Sequence, residues 1–156
     1  MDTATPVANF DFDINDLSEE QNELFQYWIT LKGSRLMPTR ADFNPANVVK
    51  VLPYISMEDV SYDPVRFQIR LVGTKTLSLQ NSVGMYLDEI ARTEEIIDML
   101  MEMITLKKPY TYSSDVKWNK RSYKTYSSLI LPFSEDGENV TLTMACHHTL
   151  ATTKFD

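Results

Sequence analysis

The sequence has one cysteine, two histidines, no excess of positive charge and no long apolar run, and each scarcity excludes something. A single thiol, Cys146, rules out an internal disulfide and suits a reducing compartment. The longest apolar stretch, "IIDMLMEMITL" at 96–106, is broken by Asp98 and Glu102 and falls short of the roughly 20 residues a membrane span needs. The opening "MDTATPVANF" has neither the basic region nor the apolar core of a secretory signal, so a cytoplasmic location is expected. Fifteen basic residues against 22 acidic ones give a net charge of −7, the wrong sign for holding a phosphate backbone, so nucleic acid is not an expected partner.

The acidity is local. Residues 1–20 carry Asp2, Asp11, Asp13, Asp16, Glu19 and Glu20 with no lysine or arginine, so the rest of the chain is nearly neutral. Residues 1–17 therefore read as an acidic, flexible arm, dispensable for the fold. "DFDINDLSEEQN" sets Asp11, Asp13 and Asn15 at the first, third and fifth positions of a calcium loop. It has Asp16 where the loop needs glycine and Asn22 where it needs a bidentate glutamate. No metal site is expected there.

With 156 residues the chain is most simply one domain, long enough to bury a core. Residues 18–34 read as a leading amphipathic helix, started by Ser18 with Gln21 as a capping box and stopped by Gly33. A strand is expected around 54–60. A second, "RFQIRLVG" at 66–73, places Phe67, Ile69 and Leu71 on one face. Thr93 is expected to cap a helix running to Lys107, with Pro109 just beyond it. Two strands flanking "NKRS" come next, then an Asp-Gly hairpin signal in "SEDGEN" and a last strand, "VTLTMACHHTL". The pattern predicts an α+β fold: a five-stranded antiparallel sheet with helices on one face, preceded by the leading helix.

Three local patterns invite a chemical reading. "RLMPTRADFNP" at 35–45 holds two arginines, which suit an anion; its prolines favour instead an extended splice, with Asp42 or Asn44 capping the next turn and Arg40 as anchor. Cys146, His147 and His148 are adjacent, but alternation along a strand turns His147 away from the other two. That argues against a nucleophile–base pair, and two ligands do not complete a zinc site. "KWNKRSYK" at 117–124 mixes basic and aromatic residues, as single-strand binders do, but it equally suits a solvated hairpin tip.

The order of elements resembles a PAS domain. Trp28 and Leu31, "MPTRADFNP", "VLPYI", "RFQIRLVGT", "GMYLDEI" and "LILPFSEDGE", spread over residues 25–148, are similar to a bacterial family of short, stand-alone PAS-like proteins. The resemblance implies a PAS-like domain over 35–152 that is a sensory or scaffolding module and not an enzyme. It implies a small molecule held between sheet and helices, or a protein partner in a signalling pathway. The expected pocket positions are Phe67, Ile69, Leu71, Leu129, Leu131 and Met144 from the strands, with Tyr86, Met99 and Met103 from the helical side; simple core packing is the alternative for most of them, and the sequence names no ligand or cofactor. On the leading helix Leu24, Trp28 and Leu31 form one apolar side, while Phe25 and Ile29 form another. A homodimer through residues 18–32 is expected to cover the second side; the alternative is that Phe10 or Phe12 of the arm folds over it. Two other readings stay open: a ligand-free adaptor, and an enzyme of unrecognised type.

Overall fold

The computed structural model describes residues 6–76, 79–119 and 122–154. Lys120 and Arg121 of the basic stretch lie outside the described residues, and around them only the backbone of the flanking strands is described. Five strands form one antiparallel sheet: β1 (Ile55–Ser61), β2 (Arg66–Val72), β3 (Tyr110–Asn119), β4 (Ser122–Phe133) and β5 (Leu142–Lys154). Their spatial order is β2-β1-β5-β4-β3, so the last strand inserts beside the first. The expected α+β architecture is present.

Helix α1 (Glu19–Lys32) begins where the sequence places it. Ser18 and Gln21 cap each other's backbone, and Gly33 ends the helix at φ 56°, a left-handed value that favours glycine. Gln21 also reaches the sheet, where its amide nitrogen donates to the carbonyls of Ser127 and Cys146, both at 3.1 Å. Trp28 Nε1 donates to the Pro132 carbonyl at 2.9 Å. Polar side chains thus fasten α1 to backbone groups of β4 and β5, while Leu24 and Trp28 fill the core beneath it.

Helix α2 (Glu94–Leu106) ends at Lys107, which takes the left-handed conformation. Thr93 occupies the N-cap position but does not cap with its side chain as expected. Its hydroxyl donates backwards, to the carbonyls of Leu87 at 2.6 Å and Ile90 at 2.9 Å, and ties the preceding turn to the helix start. Gly73, just past β2, donates to the Ile55 carbonyl at 2.7 Å. A Cβ there would come within 2.4 Å of the Pro53 carbonyl oxygen, so no larger residue fits.

The splice at 35–45 is a structural joint. Thr39 and Asp42 form a reciprocal capping box around a single 3-10 turn, and Arg35 pairs with Asp42 at 2.7 Å. Hydrogen bonds from the Thr39 backbone and from Arg35 hold the Asp42 carboxyl below its usual range. Arg40 lies against the Phe43 ring at 5.7 Å, and its backbone N–H donates to Glu135.

The arm differs from its expected looseness. Over the described residues 6–17 it lies against the body. Asn9 exchanges backbone hydrogen bonds with Thr111 at the free edge of β3. Phe10 packs on Tyr110 with ring centroids 5.1 Å apart, and Phe12 meets Phe25 edge-on at 5.4 Å. The physical reason is the alternation of the arm itself: Phe10 and Phe12 turn inward while Asp11 and Asp13 stay in water, and an unpaired edge strand offers backbone partners. Asp13 caps a short turn at Ile14–Asp16 in place of any calcium loop.

Candidate functional site

Alternation along the strands assigns each residue of the sheet to one of two faces. Ser56, Glu58, Tyr110, Tyr112, Ser128, Ile130, Thr143, Ala145 and His147 share one face; their register pairs place them in adjoining rows. Ile96 and Leu100 of α2 lie over this face. Leu129, Leu131, Met144 and Cys146 point to the opposite face, which α1 covers.

The pairing of β1 with β5 stops at Ile55 and Cys146, but β5 runs on to Lys154. From His147 onward the β1-side edge of β5 borders a cavity of about 480 Å³. Its wall is drawn from across the fold: Tyr54 and Lys75 where β1 would continue, Tyr112, Tyr126 and Ser128 from the sheet, Ile96 from α2 and Glu20 from α1. A smaller chamber of about 30 Å³ adjoins it, with Ile96, Tyr112 and His147 common to both walls.

A row of polar groups runs through this face. Ser56 Oγ meets His147 Nε2 at 2.8 Å, and His147 Nδ1 meets Ser128 Oγ at 2.8 Å. Tyr112 is hydrogen-bonded to Ser128 in turn. Burial pushes His147 down to about 4, so at neutral pH the ring is uncharged; one of its nitrogens donates and the other accepts. Glu58, at the inner chamber, is pushed up to about 7, mainly by desolvation; a 3.3 Å hydrogen bond from Thr143 partly offsets this and the charge of Asp59 adds to it. The Cys146 thiol is raised to about 12 by burial, with Glu20 adding to the effect, and is therefore a core group and not a nucleophile. Among the described residues no cluster of three metal-ligating side chains occurs.

The nine positions predicted for a pocket fall elsewhere, and none borders either cavity. Leu129, Leu131 and Met144 are buried on the α1 face, one residue out of phase with the cavity wall. Phe67 and Ile69 are buried in β2, and Met99 and Met103 in α2. Leu71 is 41% exposed, because a bulge at Arg70 in the β1–β2 ladder turns it to the face opposite Ile69. Tyr86 is half-buried at the sheet edge, where the Arg66 guanidinium covers its ring at 3.7 Å.

The wall residues that sequence reading passed over are Glu58, Tyr110, Tyr112, Tyr126, Ser128 and His147. The one available signal was the placement of His147 opposite Cys146 and His148. It separated His147 from its neighbours without revealing what it faces. "SSLILPF" reads apolar at three successive positions, so its phase cannot be taken from hydrophobicity.

Among the described residues no helix is long and apolar enough to cross a membrane. A family model described as PAS domain matches residues 17–146. No curated protein and no solved structure matches the chain.

Proposed function

From the premise that the chain belongs to the PAS domain family, whose members are generally sensory and signalling modules, we propose that it binds a small molecule in the cavity at the unpaired edge of β5. The observation that carries this reading is the composition of that wall. Ile96 on α2 and Glu20 on α1 border the same 480 Å³ space as the His147–Ser128–Tyr112 row. An occupant would touch both helices and the sheet at once, and would favour whichever packing of the helices suits it best. Apolar and aromatic walls with a few convergent polar groups are the ordinary composition of a ligand site. The protein acts by binding and not by catalysis, in the cytoplasm, and passes its signal to a protein partner. Native mass spectrometry of protein purified from its own host is expected to show a retained small molecule, held less well by Tyr126→Trp, whose larger ring narrows the cavity. An empty chain with a co-purifying protein would favour the adaptor reading instead.

A homodimer through residues 18–32 belongs to the same proposal. The arm covers Phe25, but Ile29 remains 39% exposed beside Ile14 and Leu36, around an apolar groove of about 350 Å³. Light scattering after size exclusion is expected to report twice the chain mass. A single-chain mass at high concentration would remove the dimer and leave the arm as the only cover of that helix.

A further inference from the structure

The inner chamber holds two polar groups with too few partners. Glu58 is 5% exposed, and the hydrogen bond described for its carboxyl is the 3.3 Å one from Thr143 Oγ1; among the described residues no lysine or arginine pairs with it. Tyr110 is fully buried, and its hydroxyl has no hydrogen-bond partner. Both border the same chamber, whose remaining wall includes Leu79, Leu100, Ile130 and Ala145. An ionised carboxylate accepts at about four lone-pair sites, of which Thr143 fills one, and the neutral Tyr110 hydroxyl can donate once and accept, so the carboxylate is short of donors and has no cation beside it among the described residues. The groups around Glu58 do not supply a counter-charge. Asp59 adds negative charge at Glu58 and Glu102 adds it at Tyr110, Tyr110 and Tyr112 are held neutral by burial, and His147 is uncharged and already bonded at both nitrogens.

We propose that the ligand of this cavity is a primary amine with an apolar or aromatic body, its ammonium seated in the inner chamber against Glu58 and Tyr110. The inference rests on the small-molecule reading above and adds the chemical class. An ammonium brings three donors and a positive charge in a group about as large as a water molecule, and the chamber, at about 30 Å³, exceeds the roughly 10–15 Å³ that a cavity needs to admit one. A carboxylic acid would bring a second acceptor group to a site that already has an excess. An alcohol would bring one donor and no charge. Tyr54, Tyr112 and Tyr126 line the outer cavity, where an aromatic or aliphatic body would lie.

The test uses three probes of one shape: 2-phenylethylamine, 2-phenylethanol and 3-phenylpropionate, titrated calorimetrically into the full chain. The amine is expected to bind about tenfold or more tightly than the alcohol, as suits a charged hydrogen bond in a buried site, and the acid not at all. Glu58→Gln removes the charge and Tyr110→Phe removes an unpartnered hydroxyl, so neither removes a contact the fold depends on. Glu58→Gln is expected to abolish the preference for the amine over the alcohol, and Tyr110→Phe to reduce that preference. Amine affinity is expected to rise from pH 6 to pH 8 as Glu58 gives up its proton. Equal binding of amine and alcohol, unaffected by Glu58→Gln, would overturn the amine assignment and leave the cavity reading standing, with water the occupant of the chamber. Binding of none of the probes, together with no retained molecule, would overturn both.

Discussion

Glu58→Gln is expected to gain about 2–3 kcal/mol of stability relative to the unaltered protein as pH is raised from 5 to 8, at roughly 1.4 kcal/mol per pKa unit. The folded-state carboxyl titrates near 7 and the unfolded one near 4.5, because burial disfavours the charged form. The folded state therefore binds more protons than the unfolded state between these values. The stability Glu58 contributes is complete below 4.5 and is lost as pH rises through 7. His147 acts with the opposite sign. Its folded value, near 4, lies below its unfolded value of 6.5, so its contribution is present above 6.5 and fades as pH falls towards 4. Between 5 and 6.5 the two slopes oppose each other, and the unaltered protein should show a shallow profile that falls above 6.5. Removing Glu58 leaves the His147 slope alone, so the variant should gain stability up to pH 6.5 and then level off. Urea unfolding at half-unit steps of pH measures this directly. Parallel profiles for the two proteins would mean that Glu58 is solvated or paired.

Trp28→Ala is expected to cost ~3–5 kcal/mol, the range for removing a large buried aromatic. The ring is 3% exposed and lies parallel to Phe25 at 6.3 Å. Trp28→Phe separates packing from hydrogen bonding: it keeps most of the apolar surface but leaves the Pro132 carbonyl without its 2.9 Å donor, at a cost of about 1–3 kcal/mol. The effect should reach the cavity, because Glu20, eight residues earlier on the same helix, forms part of its wall. Denaturant unfolding read by far-UV circular dichroism is the measurement. A loss below ~1 kcal/mol for Trp28→Ala would show that α1 is not held to the sheet through this residue.

Local chemistry made most of the architecture legible. Ser18 with Gln21, Gly33, and the two lysines just past α2 before Pro109 mark helix ends by signals within a few residues, and α1 and α2 lie within a residue of where these signals place them. The splice at 35–45 was readable for the same reason, since Thr39, Asp42 and Arg35 satisfy one another locally. The docking of the arm was not. Phe10 and Phe12 alternate with aspartates in a way that suits either a free or a clamped segment, and the choice depends on Tyr110 and Phe25, both far along the chain.

The sequence by itself determined the element order and the antiparallel class of the sheet, because capping, turn chemistry and alternation act over short separations, and its ordered segments carry the likeness to the family. Only the tertiary structure decided the site. Whether Ile130 or Leu131 faces the cavity depends on the register of β4 against β5, and one step of register exchanges the faces. The bulge that turns Leu71 outward is a property of the β1–β2 ladder and not of β2 alone. The cavity exists because β1 ends at its pairing with Cys146 while β5 continues, and Glu58 and Tyr110 come to one chamber from strands about 50 residues apart in a chain of ordinary local pattern.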